Sequence, residues 1–210
     1  MKENIVIIDY GSGNLQSVFN ALELVKSADQ TVKISNNPQD LKTATHIILP
    51  GVGAFGNCIG GLKAIDGMIE ELRIQVLQNK KPFLGICVGM QLLADFGFEY
   101  GKNAGLGFIG GDVVEIDNQN GSLKVPHVGW NNINIKRSHP ILEGIKNGED
   151  FYFVHSFYFV PNNQEDVIAT VNYGSELTAI ISKNNIVATQ FHPEKSSNSG
   201  LKLLKNFISI

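Results

Sequence analysis

Phe83-Leu84-Gly85-Ile86-Cys87-Val88-Gly89-Met90-Gln91 is the stretch on which the reading of this chain turns. The apolar run Pro82 to Cys87 predicts a buried strand, and Val88 to Phe96 predicts a helix. The turn between them carries a cysteine with glycine two residues away on either side. A side chain on so tight a strand-to-helix turn sits in strained backbone, and neighbouring Cβ atoms would collide, so glycine fits at both flanks. The spacing is that of a nucleophile elbow with cysteine in place of serine. The helix that follows turns its positive end toward the thiol and favours the thiolate. The amide of Val88 is then placed to donate to a developing oxyanion. The competing reading is a buried structural cysteine in a Gly-rich turn, and the elbow alone leaves both open.

Upstream, short apolar runs alternate with helical spacing. Ile5 to Ile8 ends in Asp9 and a Gly-rich turn, and Leu15, Phe19, Leu22 and Val25 then recur on one helical face. Val32 to Ile34 and Thr45 to Leu49 read as strands, and Ile65 to Leu77 as a helix. Strands separated by helices indicate a parallel sheet covered on both faces. Ligands of such sheets bind beyond the carboxyl ends of the strands. Those ends lie after Ile8, after Leu49 and at Cys87.

From about Gly105 the pattern changes. Val113 to Ile116, Phe151 to Phe159, Val167 to Val171, Leu177 to Ile181 and Ile186 to Gln190 read as strands, and Leu201 to Ile208 as a closing helix. Asn120-Gly121 is a turn signal, and Asn184-Asn185 suits a hairpin. No linker, repeat or low-complexity segment interrupts the chain, so residues 1–210 read as one domain with a β-rich second half.

Composition narrows the function classes. The chain has 210 residues, 43% of them hydrophobic, and a net charge of -3. That balance gives no reason to expect nucleic acid, whose binders show basic patches. The run Ile5 to Ile8 meets Asp9 too soon for a signal peptide, and no stretch approaches the ~20 apolar residues of a membrane span. A cytoplasmic location is expected. The two cysteines, Cys58 and Cys87, are then expected to be reduced. They form no CxxC or Cys/His metal spacing, so neither a metal nor a cofactor is expected. Gly11-Ser12-Gly13 fails as a dinucleotide fingerprint because position 16 is Gln16.

A thiolate needs a base and a third group that orients the base. Thr189-Gln190-Phe191-His192-Pro193-Glu194 supplies both, since residues two apart in extended backbone point the same way. His192 is the expected base and Glu194 its orienting carboxylate. His155, in Phe-Val-His-Ser-Phe, is the second candidate, without a carboxylate at a convenient offset. His46, His127 and His139 read as structural, as does Cys58. Pro50-Gly51-Val52-Gly53-Ala54-Phe55 follows a strand and can present amides as a second oxyanion donor, although Pro-Gly is also a generic turn signal.

Taken together, the elbow and the downstream His-x-Glu resemble the triad (class I) glutamine amidotransferases. Asp9-Tyr10-Gly11-Ser12-Gly13-Asn14-Leu15, the Pro50–Phe55 loop, Pro126-His127-Val128-Gly129-Trp130-Asn131, Tyr152 to Phe157 and Gln190 to Ser196 narrow this to the glutaminase subunits of imidazole glycerol phosphate synthase. The resemblance covers nearly the whole chain. Val88 stands where leucine is frequent and Phe157 where tyrosine is common.

The resemblance implies a flavodoxin-like, mostly parallel central sheet flanked by helices, with an antiparallel extension in the second half. It implies that Cys87 attacks the glutamine side-chain amide while His192, held by Glu194, moves the proton. It assigns the oxyanion hole to amides of Val52, Gly53 and Val88, and the glutamine pocket to Gly53, Gln91, His155, Ser156 and Phe157. It also implies a (β/α)8-barrel cyclase as heterodimer partner, which receives ammonia for histidine biosynthesis, with Asn14, Trp130, Tyr152 and Lys195 at the interface. From the residues alone those four read as a turn cap, a core aromatic, a core tyrosine and a solvated lysine.

A glutaminase lacking an acceptor site of its own should dock onto a synthase and stay idle without it, so the Pro50–Gly53 loop is expected to be misaligned in the isolated chain. Three other readings compete: a paralogous subunit for sugar amination in surface-polysaccharide synthesis, a stand-alone cysteine hydrolase, and a non-enzymatic regulatory subunit.

Overall fold

The computed structural model describes residues 3–210. Its first half follows the alternating pattern: β1 (Glu3–Ile8), α1 (Leu15–Val25), β2 (Gln30–Ser35), α2 (Pro38–Thr43), β3 (His46–Gly51), α3 (Phe55–Ala64), α4 (Met68–Leu72), β4 (Phe83–Cys87) and α5 (Val88–Gln91). Then come β5 (Phe96–Gly97), β6 (Asn103–Ala104), β7 (Gly111–Glu115), β8 (His127–Ile135), β9 (Asp150–His155), β10 (Phe157–Pro161), β11 (Val167–Tyr173), β12 (Ser175–Lys183), β13 (Ile186–Thr189) and α6 (Ser197–Phe207).

The main sheet runs β2-β1-β3-β4-β13-β12-β11-β8-β9, and a smaller one runs β10-β7-β5-β6. From β2 to β13 the pairings are parallel, and from β13 to β9 antiparallel. The first crossover runs from β1 outward to β2 and the second from β2 back past β1 to β3, so the two run in opposite directions. With right-handed crossovers this puts α1 and α2 on opposite faces. Both faces of the inner strands are therefore covered, and Ile5 to Ile8 and Ile47 to Leu49 are buried. Each such side chain contributes about 1.5–3 kcal/mol of burial, which explains the unbroken apolar runs of these strands. The mostly parallel sheet with an antiparallel second half is the architecture expected.

Four elements depart from the sequence reading. The helix expected over 88–96 ends at Gln91. Carbonyls of Leu92, Leu93, Ala94 and Asp95 accept from amides in the 105–109 loop instead of extending the helix. The helix expected over 65–77 begins only at Met68, after Gly67 at φ +74°, and continues as a π-helical turn over Arg73–Gln78. The single strand expected over 151–159 breaks at Ser156 into β9 and β10, which belong to different sheets. β8 carries no strand signal in its sequence, because its buried positions alternate with polar residues and glycine. The hairpin at Asn184-Asn185 is present, with Lys183 opposite Ile186 and Asn184 at φ +56°.

Candidate active site

β1, β3, β4 and β13 are neighbours, so the turns after Ile8, Gly51, Cys87 and Thr189 meet at one edge of the sheet. Register fixes their level: Gly51 lies opposite Cys87 and Thr189 opposite Ile86. The elbow is as tight as its glycines imply. A Cβ on Gly89 would lie 1.8 Å from the Leu49 carbonyl oxygen, and one on Gly85 2.8 Å from the Gly89 oxygen. Cys87 sits at φ +54°, ψ −111°. A non-glycine residue there holds about 1–3 kcal/mol of strain, which the surrounding packing must sustain.

His192 follows β13. Its Nδ1 is 2.8 Å from Glu194 Oε1, and both side chains are almost fully buried. Burial pushes the imidazole down, but Cys87 and Glu194 together outweigh it and raise its pKa to about 10. His192 and Cys87 line the same cavity, and Nε2 makes no hydrogen bond of regular geometry among the described residues, nor does Glu194 Oε2. Nδ1 is committed to the carboxylate, so Nε2 is the atom left for chemistry. A protonated ring beside Cys87 favours the thiolate.

One cavity of about 280 Å³ is lined by Val52, Gly53, Cys87, Val88, Gln91, His155, Ser156, Phe157 and His192, together with Glu99, Pro126 and Val154. It is at the small end of ligand pockets, a size suited to an amino acid. Every residue expected for catalysis, oxyanion binding or the glutamine pocket lines it, except Glu194, which stands behind His192.

His155, the second candidate base, is otherwise engaged. Its Nδ1 is 3.0 Å from the Phe157 carbonyl oxygen and its Nε2 3.0 Å from His127 Nδ1. Burial pushes His155 down to about 3 and His127 to about 4. A carbonyl only accepts, so His155 carries its proton on Nδ1 and receives one from His127 on Nε2. Both rings are neutral near pH 7.

The Val52 peptide unit points elsewhere. The Val52 amide donates to Ser12 Oγ at 3.4 Å, and the Val52 carbonyl accepts from Ser12 Oγ at 2.5 Å and from Cys58 Sγ at 3.4 Å. Burial pushes the Cys58 thiol up, which keeps it protonated as a donor.

Among the four positions expected at an interface, the structure departs from the plain residue readings in three, Asn14, Trp130 and Tyr152. Asn14 directs its side chain to Glu194 Oε1 at 3.3 Å and makes no side-chain cap to α1. Trp130 is 55% exposed, and its ring meets that of Tyr152 edge-on at 6.1 Å. Lys195 is exposed and Tyr152 half-buried. Val128 and Val154 lie opposite each other beside that pair and are exposed too.

Sequence reasoning passed over two residues. Glu99 lines the cavity, where its Oε2 accepts from the Phe55 amide at the head of α3 at 2.8 Å. The one available signal was a carboxylate shortly after the elbow. Gln190 stands two residues before His192 in a pattern that gives it no role of its own.

The family described as Glutamine amidotransferase class-I matches residues 6–210. The imidazole glycerol phosphate synthase subunit HisH 1 of Campylobacter jejuni (strain RM1221) is 50% identical over 98% of this chain and 100% of its own length. HisH of Rhodospirillum rubrum is 48% identical over 97% of each chain, and HisH of Pelagibacter ubique 44% over 99% and 100%. Among solved structures, PurLQS from Thermotoga maritima superposes with TM-score 0.73 at 20% identity, covering 100% of this chain and 99% of that one. It bears on the fold alone. The chain belongs to the class-I glutamine amidotransferases and, within them, to the HisH subunits of imidazole glycerol phosphate synthase.

Proposed function

We propose that this subunit hydrolyses glutamine to glutamate and ammonia through a thioester on Cys87, and passes the ammonia to a (β/α)8-barrel cyclase bound to it as a heterodimer in the cytoplasm, for histidine biosynthesis. The observation that carries this reading is the cavity in which a strained cysteine faces an imidazole backed by a buried carboxylate.

Cys87 Sγ attacks the side-chain amide carbon, and the C–S bond forms as the carbonyl oxygen takes up negative charge. His192 Nε2 gives its proton to the amide nitrogen, the C–N bond breaks and ammonia leaves. Water then attacks the thioester while His192 removes its proton. The C–S bond breaks, releasing glutamate and restoring thiolate and imidazolium. Glu194 holds the ring throughout.

Substrate contacts follow from charge and donor counts. Glu99 is a carboxylate suited to the α-ammonium of glutamine. Gln91 spends its amide nitrogen on the Phe157 carbonyl at 2.9 Å and on Gln190 at 3.2 Å, which leaves its Oε1 for a donor on the substrate.

The oxyanion meets the amides of Val88 and of the Val52–Gly53 loop. With the Val52 amide on Ser12, that half of the hole is incomplete, which supports an idle isolated subunit. The cyclase docks on the apolar stripe Val128, Trp130, Tyr152 and Val154 with Lys195 beside it. Val154 also lines the cavity, so an aromatic-centred surface of the kind that anchors interfaces adjoins the site of ammonia release. Asn14, touching Glu194, joins that surface to the triad. The relatives' naming as synthase subunits supports such a partner.

The test is glutamate release by the isolated chain, with the cyclase, and with the cyclase plus its nucleotide substrate. Release rises at each step. Cys87→Ala removes glutamine-dependent synthesis, by about 10⁴-fold or more, and spares ammonia-dependent synthesis. Full activity without the cyclase, or glutamine turnover by Cys87→Ala, defeats the proposal.

A further inference from the structure

Gln190 lies one residue beyond β13 and is fully buried. Because Thr189 pairs with Ile86, the next residue on each strand reaches the same level, and Gln190 arrives beside Cys87. Its Nε2 is 3.8 Å from Cys87 Sγ and its Oε1 3.2 Å from Gln91 Nε2. We propose that Gln190 is a catalytic residue of this site, whose carboxamide N–H donates to the Cys87 sulfur and stabilises the thiolate. The proposal rests on the glutaminase reading and adds to it a neutral group that supports the nucleophile's charge.

The orientation of the amide follows from one backbone carbonyl. The Phe157 oxygen can only accept, so the Gln91 atom 2.9 Å from it is nitrogen. That same nitrogen faces Gln190, so the Gln190 atom it meets is oxygen. The opposite atom of the Gln190 carboxamide, aimed at Cys87, is therefore nitrogen. His155 donates to the same carbonyl, which holds the fixed point in place. A neutral thiol is a weak acceptor, whereas a hydrogen bond to an ionised acceptor is roughly twice as strong as a neutral one. A buried amide whose acceptor is sulfur is thus better satisfied by the thiolate, and a hydrogen bond to the charged form favours that form. Gln190 also has no proton to exchange over the working pH range. Its donor is therefore in place both when the thiolate attacks and when the thiolate leaves.

The test is the pH profile of Cys87 alkylation by iodoacetamide in the full-length chain, read by mass spectrometry on the Cys87 peptide. Titratable groups near this sulfur are Tyr10 from the β1–α1 turn, Cys58 from α3, Glu99, His155, His192 and Glu194, and all are retained in Gln190→Met. That variant keeps the side-chain length without the donor. Its alkylation midpoint moves up by about one pH unit, a tenfold loss of thiolate at fixed pH. In the complex kcat falls while the glutamine KM stays within about twofold, because Gln91 loses its contact with Gln190 but stays held by the Phe157 carbonyl at 2.9 Å. An unshifted alkylation profile in folded Gln190→Met overturns the proposal alone. Wild-type Cys87 no more reactive than Cys58 overturns both it and the glutaminase reading. If Gln190→Met does not fold, the wild type decides: the Gln190 side-chain amide resonances shift with the alkylation midpoint, and amide signals indifferent to it overturn the proposal.

Discussion

The turns after β4 and β3 lie side by side and are built in opposite ways. At the elbow, Cys87 is 3% exposed and its glycine neighbours leave no room for a Cβ. One residue past Gly51, Val52 is 39% exposed, and Gly53, at φ +96°, has nothing within 4 Å of where a Cβ would stand. Packing from every side fixes the first turn. The second is held by the hydroxyl of Ser12 and the thiol of Cys58. A nucleophile must stay aimed whatever else happens, because strained backbone relaxes wherever packing permits. An oxyanion donor can be conditional, and a subunit that should not waste glutamine gains from making it so.

Alanine at one glycine of each turn breaks or confirms this contrast. Gly89→Ala drives a Cβ into the Leu49 oxygen, so β3 and the elbow must separate. We expect a loss of about 3 kcal/mol or more in urea unfolding, with little soluble protein. Gly53→Ala meets open space and carries only the strain of its positive φ, about 1 kcal/mol. Equal losses at the two sites would mean that both turns are packed alike.

The same contrast explains what could be read in the sequence. Elbow, His-x-Glu and alternating strands were legible because each is local: glycines at fixed offsets, an apolar run, two residues on one side of an extended segment. The early end of α5 was not, since it depends on amides of residues 105–109 arriving to claim its carbonyls. Nor was the break at Ser156, where both flanks have strand propensity and only tertiary pairing separates them. The alignment of Gln190 with Cys87 depends on the register between β13 and β4, strands about a hundred residues apart. Trp130 read as core because large aromatics usually are; its exposure follows from a strand whose outward face is apolar beside the site. Asn14 reads from the residues alone as a turn cap, but its amide reaches a carboxylate nearly the whole chain away.

The rigid side of the site also fixes a charge, which sharpens the comparison through pH. His192 is raised to about 10 from an ordinary 6.5. A raised folded-state pKa gives stability that is fully present below about 6.5 and lost as pH climbs through about 10. Cys87→Ala removes one of the two partners responsible while keeping a Cβ at φ +54°, so backbone strain is unchanged. We expect the His192 ring to titrate well below 10 in that variant by NMR. The stability gap to wild type should be widest at pH 6.5 and below and close toward pH 10. An unchanged His192 midpoint would mean that Cys87 does not act on the ring.

On the conditional side the effect is smaller and of opposite sign. Ser12 Oγ at once accepts from the Val52 amide and donates to the Val52 carbonyl, so a single hydroxyl restrains both peptide units around Val52. Ser12→Ala removes that restraint and leaves Cys58 as the remaining donor to the carbonyl. A net hydrogen bond is worth about 1 kcal/mol, which corresponds to roughly a fivefold shift toward loop orientations that free the Val52 amide for the oxyanion. Basal glutaminase of the isolated chain should therefore rise about fivefold, while activity in the complex should change little if the proposed docking reorients the loop. The unfolding free energy should stay within about 0.5 kcal/mol, as for other partly exposed sites. A fall in basal activity would instead mean that Ser12 builds the working loop, and the contrast between a fixed nucleophile and a released oxyanion donor would then lose its second half.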